Sequence, residues 1–493
     1  MCERARVSSE LPLLPLSRDS GDHDGLHLNL NIDVEPHASS SSTTTPPHAS
    51  KNASTAFLDG LRGIAALCVF FQHCGGSFDE NAHDHGFGED GHWYLGSLPF
   101  VRILFNGGNA AVAVFFVLSG YVLSRSPLRL VRDGNPRGCL WALASAVVRR
   151  PIRLYLPVFA VTFALAVLKH APFKLVEDLP WPELKPDVFV EMKTWIVDAF
   201  HFFNPFQAHD NQRWFTYSIV VWTIPIELKG SMLIYAAAGV NALTATHLTP
   251  SRATILCSLA ALIFLQTGFW ATACFLFGLA LSYLDIHALD APLERLTPRA
   301  RALFWNTAFI LGFYLLTQPA KGGHPEFALN TPGWHTLTSL VPAAYDTNQY
   351  YRYWTSWGSL LVVYAALRIR WLQGFLKTRP MRYLGKVSFM FYLVHLPMQY
   401  MLGDRIGRVF GAMPVWAPDP TWWDNRLWVP DWGGPGFSLR FWLTMAVMLP
   451  VNLVVSDFLT RVLDMPCVRL GKKLSSRLGL EGRGTGRKIE NGG

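Results

Sequence analysis

Apolar segments separated by short polar connections make up most of the chain after residue 55. A helix needs about 20 apolar residues to cross a lipid bilayer, and several of these segments are somewhat shorter. The pattern predicts an all-α, multi-pass transmembrane helical bundle with no appended soluble domain. We expect about ten membrane helices, at 57–74, 108–125, 154–169, 218–240, 253–267, 269–285, 303–318, 353–369, 386–402 and 438–458.

Two parts of the pattern allow more than one interpretation. Only Gly268 interrupts the apolar stretch 253–285, which predicts either two helices or one long kinked helix. The apolar run 139–148 is short and ends at Arg149 and Arg150. It is therefore either an interfacial helix or the beginning of the third span.

The composition favours a membrane protein. Of the 493 residues, 50% are hydrophobic and 16% are charged, against about 25% charged residues in a typical soluble domain. Because so few charges cannot cover that much apolar surface, the chain is not a disordered, fibrous or ordinary cytosolic protein. The lipid bilayer is its first expected partner. The seven cysteines form no CxxC pair and most lie in apolar runs, so no metal site is predicted.

The net charge of +8 comes from basic residues in alternate connections. The connection between the second and third segments is rich in Arg, and 368–386 carries six Lys or Arg and no acid, whereas 75–107 is mainly acidic. Lys and Arg accumulate on the cytosolic side of membrane proteins. Both termini are therefore expected in the cytosol, with five connections facing the lumen or exterior. This distribution explains the basic surplus without a nucleic-acid partner, and it leaves open which membrane houses the protein.

The chain divides into three parts by composition. Residues 1–55 hold a Ser/Thr/Pro-rich run at 39–47 and predict a disordered cytosolic tail. Residues 56–470 form the membrane domain, and 471–493 form a basic cytosolic tail.

The first apolar segment contains Asp59, Arg62 and His73. Asp59 and Arg62 are three residues apart and can pair on one helix face. His73 follows Arg62 by eleven residues, which returns to nearly the same face about 16 Å further along the axis. Ionisable groups inside membrane segments indicate function. The alternative is that the pair anchors the helix end and that His73 is an interfacial histidine.

Four other positions are candidates, each with an ordinary alternative. Ser119 precedes Gly120, and such a pair more often serves helix packing than chemistry. Arg150 and Arg153 can clamp a phosphate, although basic residues at this boundary also set topology. Glu227 lies in an apolar run and needs a partner, either Lys229 or an arginine elsewhere.

Five motifs in this order carry a specific resemblance. They are LDGLRGIAAL at 58–67 with His73 eleven residues after Arg62, FFVLSG at 115–120, the Arg150-x-x-Arg153 pair, Trp222 with Glu227, and LGKVS at 384–388 with YLVH at 392–395. Together the motifs resemble the acyltransferase 3 family of integral-membrane acyltransferases. The element WTIPIELKG departs from the WSLxxExxFY of many bacterial members and resembles the fungal-type branch.

The resemblance implies an O-acyltransferase that moves an acyl group, commonly acetyl, from acyl-CoA to a hydroxyl. No bound cofactor is implied, because acyl-CoA (acetyl-CoA in the common case) is a co-substrate. The hydroxyl-bearing acceptor is a glycan, a lipid or a small-molecule secondary metabolite.

The resemblance also implies roles for the candidate residues. His73 is the general base or a transient acyl carrier, and Asp59 orients Arg62. The CoA phosphates are expected to bind Arg62, Arg150 and Arg153. Second-line candidates for acceptor binding, or for fixing His73, are Glu227 and His395, although a lone histidine in mid-helix is usually structural. Trp222 and Ser119 are further candidates for substrate contact.

Two other classes of function remain open at this point. One is a transporter or flippase that uses His73 and Glu227 as a proton relay. The other is a non-catalytic membrane scaffold. A transporter often has paired helices broken by Gly or Pro in two halves of the chain, and this sequence shows no such pair.

Overall fold

A computed structural model describes residues 55–75, 84–172, 183–204, 214–244, 248–413, 420–434 and 437–480. The described residues are mainly helical and contain no strand beyond two isolated β-bridges. The principal helices are α1 (Ala56–Gly75), α2 (Gly108–Arg132), α3 (Pro136–Leu168), α4 (Val188–Phe202), α5 (Thr223–Thr244), α6 (Pro250–Gln266), α7 (Trp270–Ile286), α8 (Pro298–Leu316), α9 (Arg352–Arg368), α10 (Arg370–Leu376), α11 (Arg379–Met398), α12 (Asp404–Phe410), α13 (Leu439–Leu459) and α14 (Met465–Arg477).

Each apolar segment singled out in the sequence contains a helix, and both open interpretations are settled. The run 139–148 belongs to α3, which continues without a break through Arg150. Its first turn is favoured by Asn135, whose side chain accepts from the Gly138 amide, and by Pro136 at the helix start. The stretch 253–285 forms two helices that pack against each other, because Gly268 has φ +87° and reverses the chain.

Among the described residues, fewer than ten helices have the length and composition of a membrane span. Five are long and apolar enough: Ala56–Gly75, Gly108–Arg132, Pro136–Leu168, Ile219–Thr244 and Leu439–Arg477. A sixth is added if α9 and α10, which meet at 94°, are counted as one span. The described residues thus form a helical membrane protein, while the predicted count of ten spans is not established.

The sequence did not predict α4, nor the helices α10, α12 and α14. α4 lies in the connection after α3 and exposes large apolar side chains such as Phe189 and Phe200. The buried carboxylate of Glu191 holds it in place by accepting from Lys169 Nζ at 3.1 Å and Tyr217 Oη at 2.8 Å. Burial disfavours the charged form, but these and further hydrogen bonds outweigh it and hold the pKa of Glu191 below its usual value.

Glycines allow the helices around α1 and α2 to approach closely. A Cβ at Gly385 of α11 would lie 2.2 Å from the Asp59 carbonyl oxygen of α1. A Cβ at Gly120 of α2 would lie 2.1 Å from the Phe275 carbonyl oxygen of α7. The packing interpretation of Gly120 is therefore confirmed. These contacts place α1, α2, α5 and α11 around the cavities described below.

The predicted tails lie mostly outside the described residues. Of the N-terminal tail only Thr55 is described, and nothing after residue 480 is described at the C-terminus. α14 extends into the predicted C-terminal tail, where Ser475 Oγ lies 2.6 Å from Ser145 Oγ of α3.

Candidate active site

Two neighbouring cavities contain most of the sequence-predicted residues. The first, here called the arginine cavity, has a volume of about 100 Å³, and its polar lining consists mainly of Arg62, Ser119, Arg150, Arg153 and Glu227. The second, here called the histidine cavity, has a volume of about 590 Å³, and its polar lining includes Gln72, His73, Asn109, Trp222, Asp346 and Gln349. Val112 and Tyr392 line both cavities, so the two share a wall.

A buried ion pair joins three helices at the arginine cavity. Glu227 of α5 contacts the Arg150 guanidinium of α3, and its Oε1 accepts from Ser119 Oγ of α2 at 2.7 Å. Arg150 Nε also donates to Ser231 Oγ at 2.9 Å. The sequence left the partner of Glu227 open between Lys229 and an arginine elsewhere, and the structure places Arg150 there.

The other two arginines of this cavity are less constrained. Arg62 pairs with Asp59 at 3.6 Å, as the sequence spacing predicts. Arg153 makes no hydrogen bond or ion pair with any residue that the structure describes. Its guanidinium lines the arginine cavity and remains available to an anion.

Asp464 is an acidic group that the sequence analysis missed. It is 1% exposed, lies in the π-helical turn Thr460–Asp464, and interacts electrostatically with Arg153 and Arg62. The signal in the sequence was a carboxylate at the end of a long apolar run. The sequence analysis placed this carboxylate in the last part of the membrane domain and gave it no role.

Two histidines lie side by side, one in the last turn of α1 and one in the last turn of α11, on the side of the histidine cavity. The ring centroids of His73 and His395 are 5.3 Å apart, although 322 residues separate them in the chain (395 minus 73). His395 is 1% exposed, and its Nδ1 donates to the Tyr392 carbonyl oxygen at 2.7 Å. Its Nε2, which accepts hydrogen bonds when the ring is neutral, has no hydrogen-bond partner among the described residues.

Glu227 and His73 line different cavities. Its hydrogen bonds within the described residues go to Ser119 and Arg150, and it lines the arginine cavity while His73 lines the histidine cavity. These contacts give no support to a role of Glu227 in fixing His73, and its other predicted role, in acceptor binding, stays a prediction. The same separation means that a His73–Glu227 proton relay would need water or other side chains between the two residues.

Trp222 lines the histidine cavity as part of an aromatic cage around a fully buried arginine. The Arg352 guanidinium carbon lies 5.1 Å from the Trp222 ring centroid, 4.5 Å from that of Trp270 and 4.8 Å from that of Tyr351. Arg352 Nη1 also donates to the Asn109 carbonyl oxygen at 3.2 Å. The sequence analysis missed Arg352, because one basic residue at the start of an apolar segment resembles an ordinary boundary charge.

Gln72 fixes the neighbourhood of His73. Its Oε1 accepts from the backbone amides of Gly108 at 2.6 Å and Asn109 at 3.3 Å, at the start of α2. Amides in the first turn of a helix have no partner within that helix, so this side chain satisfies two of them. The contact holds the end of α1 against the beginning of α2.

The two cavities together define a class of protein. Guanidinium groups that can hold an anionic donor lie beside a cavity whose imidazole can accept a proton. That combination suits a group-transfer enzyme, and the helical fold places it inside a membrane protein.

Sequence comparison identifies the family within that class. Residues 55–461 match the sequence profile of Acyl_transf_3, described as an acyltransferase domain. This match covers most of the chain, so the chain belongs to the acyltransferase 3 family and the protein is an acyltransferase.

Three fungal proteins show the similarity over nearly their full lengths. The O-acetyltransferase PaAT-1 of Phomopsis amygdali is 27% identical over 86% of this chain and 85% of its own. An acyltransferase of a Phoma species is 25% identical over 86% and 97% of the two chains. The acyltransferase clz18 of Cochliobolus lunatus is 24% identical over 84% and 94%. No solved structure matches the chain.

Proposed function

We propose that the protein is a membrane O-acyltransferase that moves an acetyl group from acetyl-CoA to the hydroxyl of an acceptor, which is a glycan, a lipid or a small secondary metabolite. The single observation that carries this proposal is the shared wall between the arginine cavity and the histidine cavity. The similarity to PaAT-1, which is named an O-acetyltransferase, supports acetyl as the group.

The donor binds at the arginine cavity. CoA carries phosphates, and arginine pairs with phosphate through two parallel hydrogen bonds. Arg150 is already matched by Glu227, so Arg153 and Arg62 supply most of the available positive charge. Asp59 pairs with Arg62, and the charge of Asp464 interacts with both arginines.

The acceptor binds in the histidine cavity, where His73 takes the proton from its hydroxyl. The hydroxyl oxygen then attacks the thioester carbonyl, a C–O bond forms, and the C–S bond breaks. The proton passes from His73 to the departing CoA thiolate. His395 acts as a positioning residue, because its ring packs beside that of His73 and its own orientation is fixed by the Tyr392 carbonyl.

The same geometry is compatible with His73 as a transient acyl carrier. In that route a His73 nitrogen attacks the thioester first, CoA leaves, and the acceptor oxygen then takes the acyl group. The two routes differ when acetyl-CoA is supplied without acceptor. A carrier releases about one CoA per enzyme in a burst, and a general base releases none beyond slow hydrolysis.

The test is His73→Ala in the full-length protein, with the exposed His335→Ala as the matched control. We expect transfer from acetyl-CoA to fall about 10²- to 10⁴-fold in His73→Ala, because the general base is lost. His335→Ala should retain the activity. Transfer is followed as acylated product by mass spectrometry, with membrane insertion measured in parallel. Wild-type turnover by a correctly inserted His73→Ala would overturn the assignment.

A further inference from the structure

Three side chains outside the two cavities form a separate cluster. His85, Glu89 and His92 each offer one metal-ligand atom, and these atoms all lie within 4.8 Å of one another. Glu89 is 1% exposed, and its carboxylate contacts His85 Nδ1 and lies 4.0 Å from His92 Nδ1. The cluster belongs to the acidic connection between α1 and α2.

The local backbone holds Glu89 and His92 together. The residues between them, Asp90 and Gly91, have φ of 43° and 85°. Positive φ at both central positions is the mark of a tight type I′ turn, for which Asp-Gly is a favoured pair. The His92 amide donates to the Glu89 carbonyl oxygen at 2.8 Å and closes the turn.

Packing also fixes His85 in the cluster. Its ring lies 4.0 Å from the ring of His92, centroid to centroid, and stacks on it at 12°. Its other neighbour is Phe327, edge-on at 4.7 Å, from the connection between α8 and α9. Arg102 Nη1 donates to the His85 carbonyl oxygen at 3.2 Å. The cluster is therefore built by packing from two distant segments.

The side chains of this cluster are of the types that bind a transition metal ion. A carboxylate buried between two imidazoles is costly unless a positive charge compensates it. Two histidines and one glutamate are a recurrent ligand set for zinc, with a fourth position left for water. Imidazole favours zinc over magnesium and calcium, which prefer oxygen. Zinc ligands at about 2.1 Å lie roughly 3.4 Å apart in a tetrahedron. Zinc binding would therefore separate the contacting His85 and Glu89 atoms and draw His92 Nδ1 closer to the Glu89 carboxylate, from which it lies 4.0 Å away.

We propose that His85, Glu89 and His92 bind one zinc ion, which fixes the connection between α1 and α2 in the conformation that packs against the connection between α8 and α9. Asp84, next to His85, forms an ion pair with Lys321. The neighbours of Lys321, Ala320 and Gly322, line the histidine cavity. Metal binding thus fixes the wall of the proposed acceptor cavity without taking part in the transfer.

The experiment uses the full-length protein in detergent, purified through a tag that contains no histidine and freed of metal with a chelator. Zinc chloride is added, bound zinc is measured by mass spectrometry after desalting, and the unfolding temperature is recorded with and without zinc. The variants are His92→Asn and Glu89→Gln. The matched control is His324→Asn, which removes an exposed histidine of the neighbouring segment that pairs with Glu326.

We expect about one zinc per chain and a zinc-dependent rise in unfolding temperature in the wild type and in His324→Asn. His92→Asn should bind zinc at least about tenfold more weakly and lose the rise, because one of three protein ligands is gone. Equal zinc content in His92→Asn and wild type would overturn the site, as would a wild type that retains no zinc. Equal stabilisation by calcium would contradict zinc as the metal. His92 is partly exposed, so its variant keeps the test valid even if Glu89→Gln fails to fold.

Discussion

At the scale of the residue, the Arg-x-x-Arg motif contains two arginines in different environments. Arg150 is buried, bonded to Ser231 and matched by Glu227. Arg153 has no such partner among the described residues and faces the arginine cavity. Removing Arg150 would leave Glu227 as a buried charge without its ion pair, so a loss of activity there would mix stability with donor binding. Arg153 is the cleaner probe of the donor site.

We expect Arg153→Ala to raise the KM for acetyl-CoA more than the KM for the acceptor. A charge-assisted hydrogen bond to phosphate contributes about 1.5–3 kcal/mol, which corresponds to roughly 10- to 150-fold weaker donor binding. Arg153→Lys should recover only part of this, because an ammonium lacks the planar fork.

The control for this prediction is Arg149→Ala, since Arg149 does not line the cavity. Steady-state kinetics with each substrate varied in turn give the two KM values, and protease protection gives the correctly oriented fraction. If Lys restores full activity, or if the losses follow misinsertion, Arg153 sets topology only.

At the scale of the element, the parallel packing of α1 and α11 brings the two histidines together. Gly60, Gly63 and Gly385 let the backbones of α1 and the segment 376–385 approach near the start of α1. Phe70 and Phe391 then pack at 5.2 Å between ring centroids, and His73 and His395 follow one turn further on. The spacing of the histidine pair therefore depends on glycine contacts about two turns or more away.

Gly385→Ala should lower both the unfolding temperature and the transfer rate. The added Cβ would lie 2.2 Å from the Asp59 carbonyl oxygen, so α1 and α11 must separate. Gly374→Ala is the control, since a Cβ there meets nothing within 4 Å. Thermal unfolding and acetyl transfer are measured on both variants. Unchanged values in Gly385→Ala would show that the close approach is not required.

At the scale of the whole molecule, the direction of the helices agrees with the charge pattern. α1 and α11 start at the same end of the bundle, where the basic residues of 368–386 lie, and α2 starts at the opposite end beside Gln72. The arginine cavity is nearer the basic end and the histidine cavity nearer the other. The positive-inside rule then predicts that the proposed donor cavity lies in the cytosolic half, where acetyl-CoA is available.

Cysteine labelling tests this orientation. In a cysteine-free background, Ser339→Cys should react with a membrane-impermeant reagent added from the side opposite to the cytosol, and Thr378→Cys should not. Both positions are exposed, so accessibility to solvent is matched. Labelling of the opposite pattern would reverse the topology and remove the cytosolic donor site. Permeabilised membranes, in which both positions should react, give the control.

The sequence by itself determined the class of fold and the family of the protein. Apolar runs near the length of a bilayer form helices wherever they occur, because the backbone hydrogen bonds of a helix are local and lipid leaves few alternatives. The five motifs likewise lie within short stretches, so the family was visible without any knowledge of packing. Asp59 with Arg62 is a site contact of this kind, three residues apart on one helix.

Only the tertiary structure decided which distant residues meet. Glu227 pairs with Arg150, which belongs to another helix, and His395 lies beside His73. Asp464 lies close enough to Arg153 and Arg62 to interact with them electrostatically, and the connection carrying His85 packs against Phe327. These partners come from different helices or connections, and their pairing depends on helix crossings set by small residues and buried charges. Hydropathy records how apolar each segment is, but it carries no information on which faces of two segments touch.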